Sequence, residues 1–266
     1  MSFEHIPDLD GYNHRMALGM EDKLWFLGHT PPSDRVIVDY GCADGVLLDH
    51  IYNNEHPHKG YLLLIGYDSA PEMIAAAKAR NKHIFFTTEG DKVTQLKTLA
   101  APRPPVTVLL SSVLHEVYHY WPGYRTLWET ITRLADNIAI RDMMFIAEDT
   151  PVPAEDYAKL RARKESAASL ASFEAIYGPA DHLRNFTHFL MKYRYTDNWE
   201  RELPENYFSV DQKELISTLI AGKQGPAFKL EYLENYTLPY IKETVLADFG
   251  IEMTATTHVK MMFRRA

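Results

Sequence analysis

The feature that most constrains this chain is a regular alternation, over its first 150 residues, of short apolar, β-branched runs with helix-spaced segments. Residues 36–38, 61–65, 83–87, 106–111 and 137–146 read as strands, and 106–111 is apolar in the unbroken manner of a strand buried on both faces. Between them, 46–52, 71–80, 93–99 and 124–135 carry apolar residues at helical spacing. Parallel neighbours need helical crossovers of this length, so the pattern predicts an α/β fold: a doubly wound, mostly parallel sheet with helices on both faces. Such sheets bind ligands beyond the carboxyl ends of their strands.

A leading helix is expected over residues 15–27, before the first strand. After Thr150 the rhythm breaks. Residues 154–176 read as one long helix, 180–194 as a second, and 209–219 as a third opened by Ser209 with Gln212 three later, a reciprocal cap. A strand at 228–238, a helix at 239–249 and a strand at 258–264 close the chain. The expected division is 1–150 for the leading helix and ligand-binding core, 151–225 for a helical cap between strands 5 and 6, and 226–266 for the closing strands. Pro-dense stretches at 31–32, 102–105 and 151–153 read as loops within one body.

Composition limits the partners. At 266 residues and a formal net charge of −8, the chain is one large domain or one domain with an insertion, and it is a poor candidate for clamping a polyphosphate backbone. A single cysteine, Cys42, excludes an intrachain disulfide framework and a cysteine-built zinc site, and fits a reducing compartment. No run of 18 apolar residues and no secretory leader is apparent, so a cytoplasmic address without membrane partners is expected.

The densest chemical signal is residues 36–45, VIVDYGCADG. Asp39 is expected to end the first strand, and Gly41, Cys42, Ala43 and Gly45 to form the turn into the next helix. Small residues there let a ligand approach the backbone, and the helix N-terminus is expected to offer unpaired N–H groups. The spacing DxGxAxG differs from the dinucleotide fingerprint GxGxxG. Asp68 lies 23 residues past Gly45, near the distance at which an acid holds ribose hydroxyls in nucleotide-binding α/β units. The two signals agree on a ribonucleoside.

A second motif competes. His115, Glu116 and His119 form a literal HExxH, which on a helix sets two imidazoles on one face for zinc, with the glutamate as base. A zinc helix needs several turns around the motif, whereas a buried-strand pattern ends at Ser111 and Pro122 stops any helix soon after His119. A zinc hydrolase is therefore the distant alternative, and no metal is expected.

Together VIVDYGCADG, IGYDSAPEMIAAAKA and VLLSSVLHEV resemble the class I S-adenosylmethionine-dependent methyltransferases, over residues 36–146 and weakly over the closing strands. The resemblance implies a seven-stranded sheet with one antiparallel strand and S-adenosyl-L-methionine as cofactor. Its methionine end would lie on the turn of Asp39, Gly41, Cys42, Ala43 and Gly45, and its ribose on Asp68. It further implies Ser69 and Met73 along the adenine and Glu89 or Asp91 at the adenine amino group. Ser111, Ser112 and Leu114 would touch the methionine moiety, and Tyr12 and Arg15 would reach its carboxylate. Ser69 departs from the bulky apolar residue frequent there.

The implied activity is methyl transfer to an unidentified acceptor, a small molecule ahead of a nucleotide or nucleic acid. His115 is the candidate base because an imidazole titrates near neutrality, with Glu116 as its orienter. A noncatalytic cofactor-binding module is the alternative. Arg141 and Asp142 read equally well as a structural ion pair. Lys159, Arg161, Arg163, Lys164, Arg184, Lys192 and Arg194, interleaved with Phe186, Phe189, Tyr193, Tyr195 and Trp199, read first as a solvated face over core rings and second as a nucleic-acid surface.

Overall fold

The computed structural model describes residues 19–30, 36–55, 63–95 and 104–266. Tyr12, Arg15 and most of the leading helix's first half lie outside them. What is described of that segment is a short helix α1 (Met20–Lys23) running into a 3-10 turn, Leu24–Gly28.

Seven strands form one sheet: β1 (Val36–Tyr40), β2 (Leu63–Tyr67), β3 (Phe85–Thr87), β4 (Val106–Ser111), β5 (Asn137–Ile146), β6 (Phe228–Tyr236) and β7 (Thr256–Arg265). Their order is β3-β2-β1-β4-β5-β7-β6. All contacts among β1 to β5 are parallel, and β7 runs antiparallel to both β5 and β6. This is the Rossmann-like arrangement of class I methyltransferases, with a helical segment between β5 and β6, as expected. Because β2 and β4 lie on opposite sides of β1, the connections from β1 and from β3 diverge beside it. That divergence opens a crevice above the carboxyl end of β1.

Alternation along the strands feeds two cores. Val36 and Val38 pack with Val108, Leu110, Trp128 and Ile138 on one face, while Ile37 and Leu109 pack with Leu48, Ile74, Phe86 and Met262 on the other. The helices that cover these faces are α2 (Val46–His50, continued as a π turn through Ile51–Glu55), α3 (Pro71–Arg80), α4 (Gly90–Gln95), α5 (Leu114–Tyr120) and α6 (Tyr124–Leu134). The expected helix at 93–99 therefore begins earlier, and its last residues lie outside those described.

The inserted region holds α7 (Ala154–Ala162), α8 (Lys164–Tyr177), α9 (Leu183–Lys192), α10 (Trp199–Glu202) and α11 (Gln212–Ile220). The single helix expected over 154–176 is two. Arg163 is extended (φ −80°, ψ 112°), and the Ser166 hydroxyl donates to the carbonyls of Leu160 and Arg163, competing with the helical ladder at the break. The reciprocal cap at Ser209 is also corrected. Asp211 caps α11 by accepting the Glu214 N–H, and the Ser209 hydroxyl is directed elsewhere.

Leu160, Phe173, Phe186 and Phe189 form a third core with Ile241 and Val245 of α12 (Pro239–Phe249). Phe186, Phe189 and Tyr193 are thus interior, while Lys159 pairs with Asp156 and Arg163 with Asp248. No helix among the described residues is long and apolar enough to cross a membrane.

Candidate functional site

Asp39 is the last residue of β1 to pair with β4, while pairing with β2 continues one residue further to Tyr40, so it lies one residue inside the strand. Its carboxyl is buried, which pushes its pKa up to about 7 against the pull of the Lys23 ammonium, with Asp68 adding to the rise. Lys23 is pushed down to about 8 by the same burial. The leading helix thus places a cation beside the end of β1, where sequence reasoning saw none.

The turn that follows is held in left-handed conformations at Gly41 (φ 91°), Ala43 (φ 46°) and Gly45 (φ 75°). Gly45 is required for packing as well as for its angle: a Cβ there would stand 2.7 Å from the Phe86 ring. Tyr67 carbonyl accepts from Gly41 and Cys42, Asp68 Oδ2 accepts from Ala43 at 2.9 Å, and Cys42 carbonyl accepts from Gly45. Asp44 Oδ1 accepts from Val46 at 3.4 Å. The expectation of unpaired N–H groups is narrowed to the first turn of α2 beyond Val46. The N–H groups of Gly41, Cys42, Ala43, Gly45 and Val46 are engaged within the protein, so this stretch of the turn offers shape and carboxylates.

Asp68 braces the turn with both oxygens, Oδ1 accepting from Ala70 at 2.9 Å. Burial raises its pKa, opposed by the N–H groups of Ala70 and Ala43. Each oxygen keeps one further acceptor site. Cys42 is buried, and desolvation holds its thiol up, so it acts as a small packing residue. Ser69 is exposed and Met73 half-buried on α3. Glu89 and Asp91 are exposed, and Glu89 pairs with Lys92 at 2.5 Å.

Across the crevice, β4 ends at Ser111, whose buried Oγ has no hydrogen-bond partner among the described residues. Ser112 takes a strained left-handed angle (φ 56°) and accepts from Arg141 Nη1 at 2.7 Å. Arg141 Nε also donates to Asp22 at 2.6 Å, and Asp22 accepts from Tyr236 and Lys260. Arg141 and Asp142 are therefore not paired with each other. As strand neighbours they face opposite ways.

Asp142 supports the second cluster. It accepts the N–H groups of Val113 and Leu114 and, at 2.5 Å, meets His115 Nδ1. The other ring nitrogen, Nε2, lies 2.7 Å from Glu205, which comes from the inserted region. Burial opposes charge on this imidazole, but the two carboxylates more than compensate and hold its pKa well above 6.5. Glu116 is not among the hydrogen-bond partners of His115; Asp142 and Glu205 are. Burial, with help from Glu205 and Asp142, pushes Glu116 up to about 7. Leu114 is buried in the core.

His119 is exposed and packs edge-on against Tyr120. Among the described residues it joins no group able to share an ion with His115 and Glu116. The HExxH pattern is thus on a helix of seven residues but does not form a two-histidine zinc site.

No protein-family model matches the chain, and no curated protein matches it in sequence. Solved structures do align. The plantazolicin methyltransferase BamL, in complex with a triazolic desmethylPZN analog and SAH, is 10% identical, with a TM-score of 0.48 over 96% of this chain and 88% of that one. Magnesium protoporphyrin IX methyltransferase (ChlM) from Synechocystis PCC 6803, with bound SAH, is 11% identical, with a TM-score of 0.45 over 95% and 84%. N-methyltransferase NodS from Bradyrhizobium japonicum WM9 is 12% identical, with a TM-score of 0.45 over 97% and 98%. Likeness at this level adds nothing about activity, and the fold assignment rests on strand order and direction. By that order, the chain has the class I methyltransferase fold.

Proposed function

We propose that the protein is an S-adenosylmethionine-dependent methyltransferase acting on an acceptor yet to be identified, a small molecule ahead of a nucleotide or nucleic acid. The observation that carries this reading is the pair of carboxyl groups, Asp39 and Asp68, flanking a left-handed turn in the crevice above β1. The Oγ of Ser111 on the facing strand fits the same ligand, since it is a buried polar atom with no hydrogen-bond partner among the described residues.

S-adenosylmethionine supplies an activated methyl group on a sulfonium centre. Asp68, already fixed at two N–H groups, is assigned to the ribose hydroxyls through its remaining acceptor sites. Asp39 and the turn at Gly41, Cys42, Ala43 and Gly45 are assigned to the methionine end, with Ser111, Ser112 and the backbone at Leu114 opposite. Ser69, Met73, Glu89 and Asp91 are assigned to the adenine end. His115 and Glu116 are assigned to the acceptor's proton. Because His115 is fixed between Asp142 and Glu205, Glu116 is the better placed of the two to take it. The inserted region's cations are largely engaged within the protein, which supports a small acceptor over a polyanion.

Calorimetry with S-adenosylmethionine and its demethylated product, followed by methyl-transfer assays over a panel of small acceptors, tests this. Binding with turnover is expected. Absence of heat with both ligands overturns the reading, and binding without turnover across the panel replaces it with a cofactor-binding module.

A further inference from the structure

Three side chains from two distant segments bring ligand atoms to one point between the core and the inserted region. A ring nitrogen of His115 and one carboxylate oxygen each from Glu116 and Glu205 all lie within 4.8 Å of one another. An ion bonded at about 2.0–2.2 Å holds neighbouring ligand atoms roughly 3 Å apart or slightly more, so small side-chain rotations close the set. His115 and Glu205 are 3% and 5% exposed, which removes the water that screens exposed acidic clusters.

Three independent features distinguish this from a chance grouping of acids. The imidazole is oriented from behind, its Nδ1 held by Asp142, which is itself fixed by the N–H groups of Val113, Leu114 and Met143. That carboxylate–histidine relay is the usual support of a metal-ligating imidazole. Glu116 makes no hydrogen bond or ion pair with any described residue, although one of its oxygens lies within 4.8 Å of one from Glu205. Of Arg201 and Lys192, whose charges both reach Glu205, Lys192 spends its bonds on the backbone carbonyls of Glu202, Leu203 and Glu205 rather than on these carboxylates.

We propose that His115 Nε2, Glu116 and Glu205 bind one divalent first-row transition ion, with Asp142 as the positioning residue. One imidazole with two carboxylates suits Mn²⁺, Fe²⁺, Co²⁺ or Zn²⁺ better than the all-oxygen shells of Ca²⁺. The ion takes the place of the proton on Nε2, which leaves to solvent. Three protein ligands leave coordination positions open. If the methyltransferase reading holds, an acceptor oxygen fills one of them and releases its proton to solvent more readily there, with Glu116 serving as ligand instead of base. The presence of the ion does not depend on that reading.

The test is titration of chelator-treated full-length protein with MnCl₂, and separately ZnSO₄, by calorimetry and Mn²⁺ paramagnetic resonance. One ion per chain is expected, together with a rise in melting temperature. Glu116→Gln and Glu205→Gln should each weaken binding at least tenfold, while exposed Glu129→Gln leaves it unchanged. Glu116 carries no structural bond, so that variant keeps its fold, which circular dichroism verifies. No binding of either ion at millimolar concentration, or binding untouched by both substitutions, overturns the proposal. Ion binding in a protein that gives no heat with S-adenosylmethionine sustains the metal site and removes only the methyltransferase reading.

Discussion

The carboxylate of Asp68 reaches back over twenty-five residues to accept the N–H of Ala43 at 2.9 Å, tying the end of β2 to the turn that follows β1. One side chain therefore serves both the fold and the proposed ribose contact. Asp68→Ala orphans the N–H groups of Ala43 and Ala70 and should cost about 1–3 kcal/mol of stability. It should also weaken binding of the demethylated cofactor at least tenfold. Calorimetry well below the variant's melting point separates the two effects, and unchanged affinity there would remove Asp68 from the site.

Gly45→Ala meets two obstacles. The φ of 75° disfavours any Cβ, and the new atom would lie 2.7 Å from the Phe86 ring and 2.9 Å from Ala77. The combined cost should be about 2–4 kcal/mol. In a Phe86→Leu background the steric part should be relieved by about 1 kcal/mol, leaving the Ala77 contact and the backbone part. Denaturant unfolding of the four proteins of this cycle is the check, and strict additivity would show that Phe86 is not the obstacle.

Asp39 predicts the pH dependence of ligand binding. With its pKa raised by burial to about 7, it is largely neutral at pH 6 and ionised at pH 8. A cationic ligand that depends on the carboxylate should bind several-fold more tightly at pH 8 than at pH 6. Asp39→Asn should give weak binding that no longer varies over this range. A wild-type affinity independent of pH contradicts the assignment.

Asp142 is held below the ordinary carboxylate range by His115 and the N–H groups it accepts, despite burial acting the other way. Asp142→Ala should therefore cost about 3–5 kcal/mol, because it leaves a buried imidazolium with one partner fewer. In chelator-treated wild type, the His115 ring should keep its proton to a pH well above that of a free imidazole, as NMR of the ring would show. In Asp142→Asn it should titrate at lower pH.

His258 is buried behind Arg141, and desolvation pushes its pKa down to about 3. The folded state refuses a proton that the unfolded chain takes near 6.5. Its contribution is complete above pH 6.5 and is lost as pH falls toward 3, at up to about 1.4 kcal/mol per pH unit. Relative to His258→Gln, the wild type should lose stability steadily over that window. Parallel stability curves would show that His258 is solvated.

Periodicity revealed most of the frame because each strand and helix states its burial locally. Pro71–Arg80, Val106–Ser111, Asn137–Ile146 and Pro239–Phe249 have the bounds their patterns predict. The break at Arg163 was hidden because the residues on both sides share one helical stripe, and only Ser166's hydroxyl marks it. In the site, Asp39, Asp68 and the glycine turn were visible because they form one short segment and its echo at the next strand end. Glu205 was not, since it sits in a turn with no period and meets His115 across ninety residues. Asp142 carried a usable signal: a charge within the apolar run IAIRDMMFI must find a buried partner. Lys23 carried less, because a lysine on a short amphipathic helix ordinarily faces water.

Glu205 and the Ser209 hydroxyl, both from the inserted region, bond the ring and the carbonyl of His115 in the core. Replacing residues 151–225 with a short hairpin would strand a buried charge at the head of α5. The inserted segment and the core are therefore a single structural unit at this point, and grafting this segment onto another scaffold, or a foreign one onto this, requires carrying His115 and Asp142 along with it.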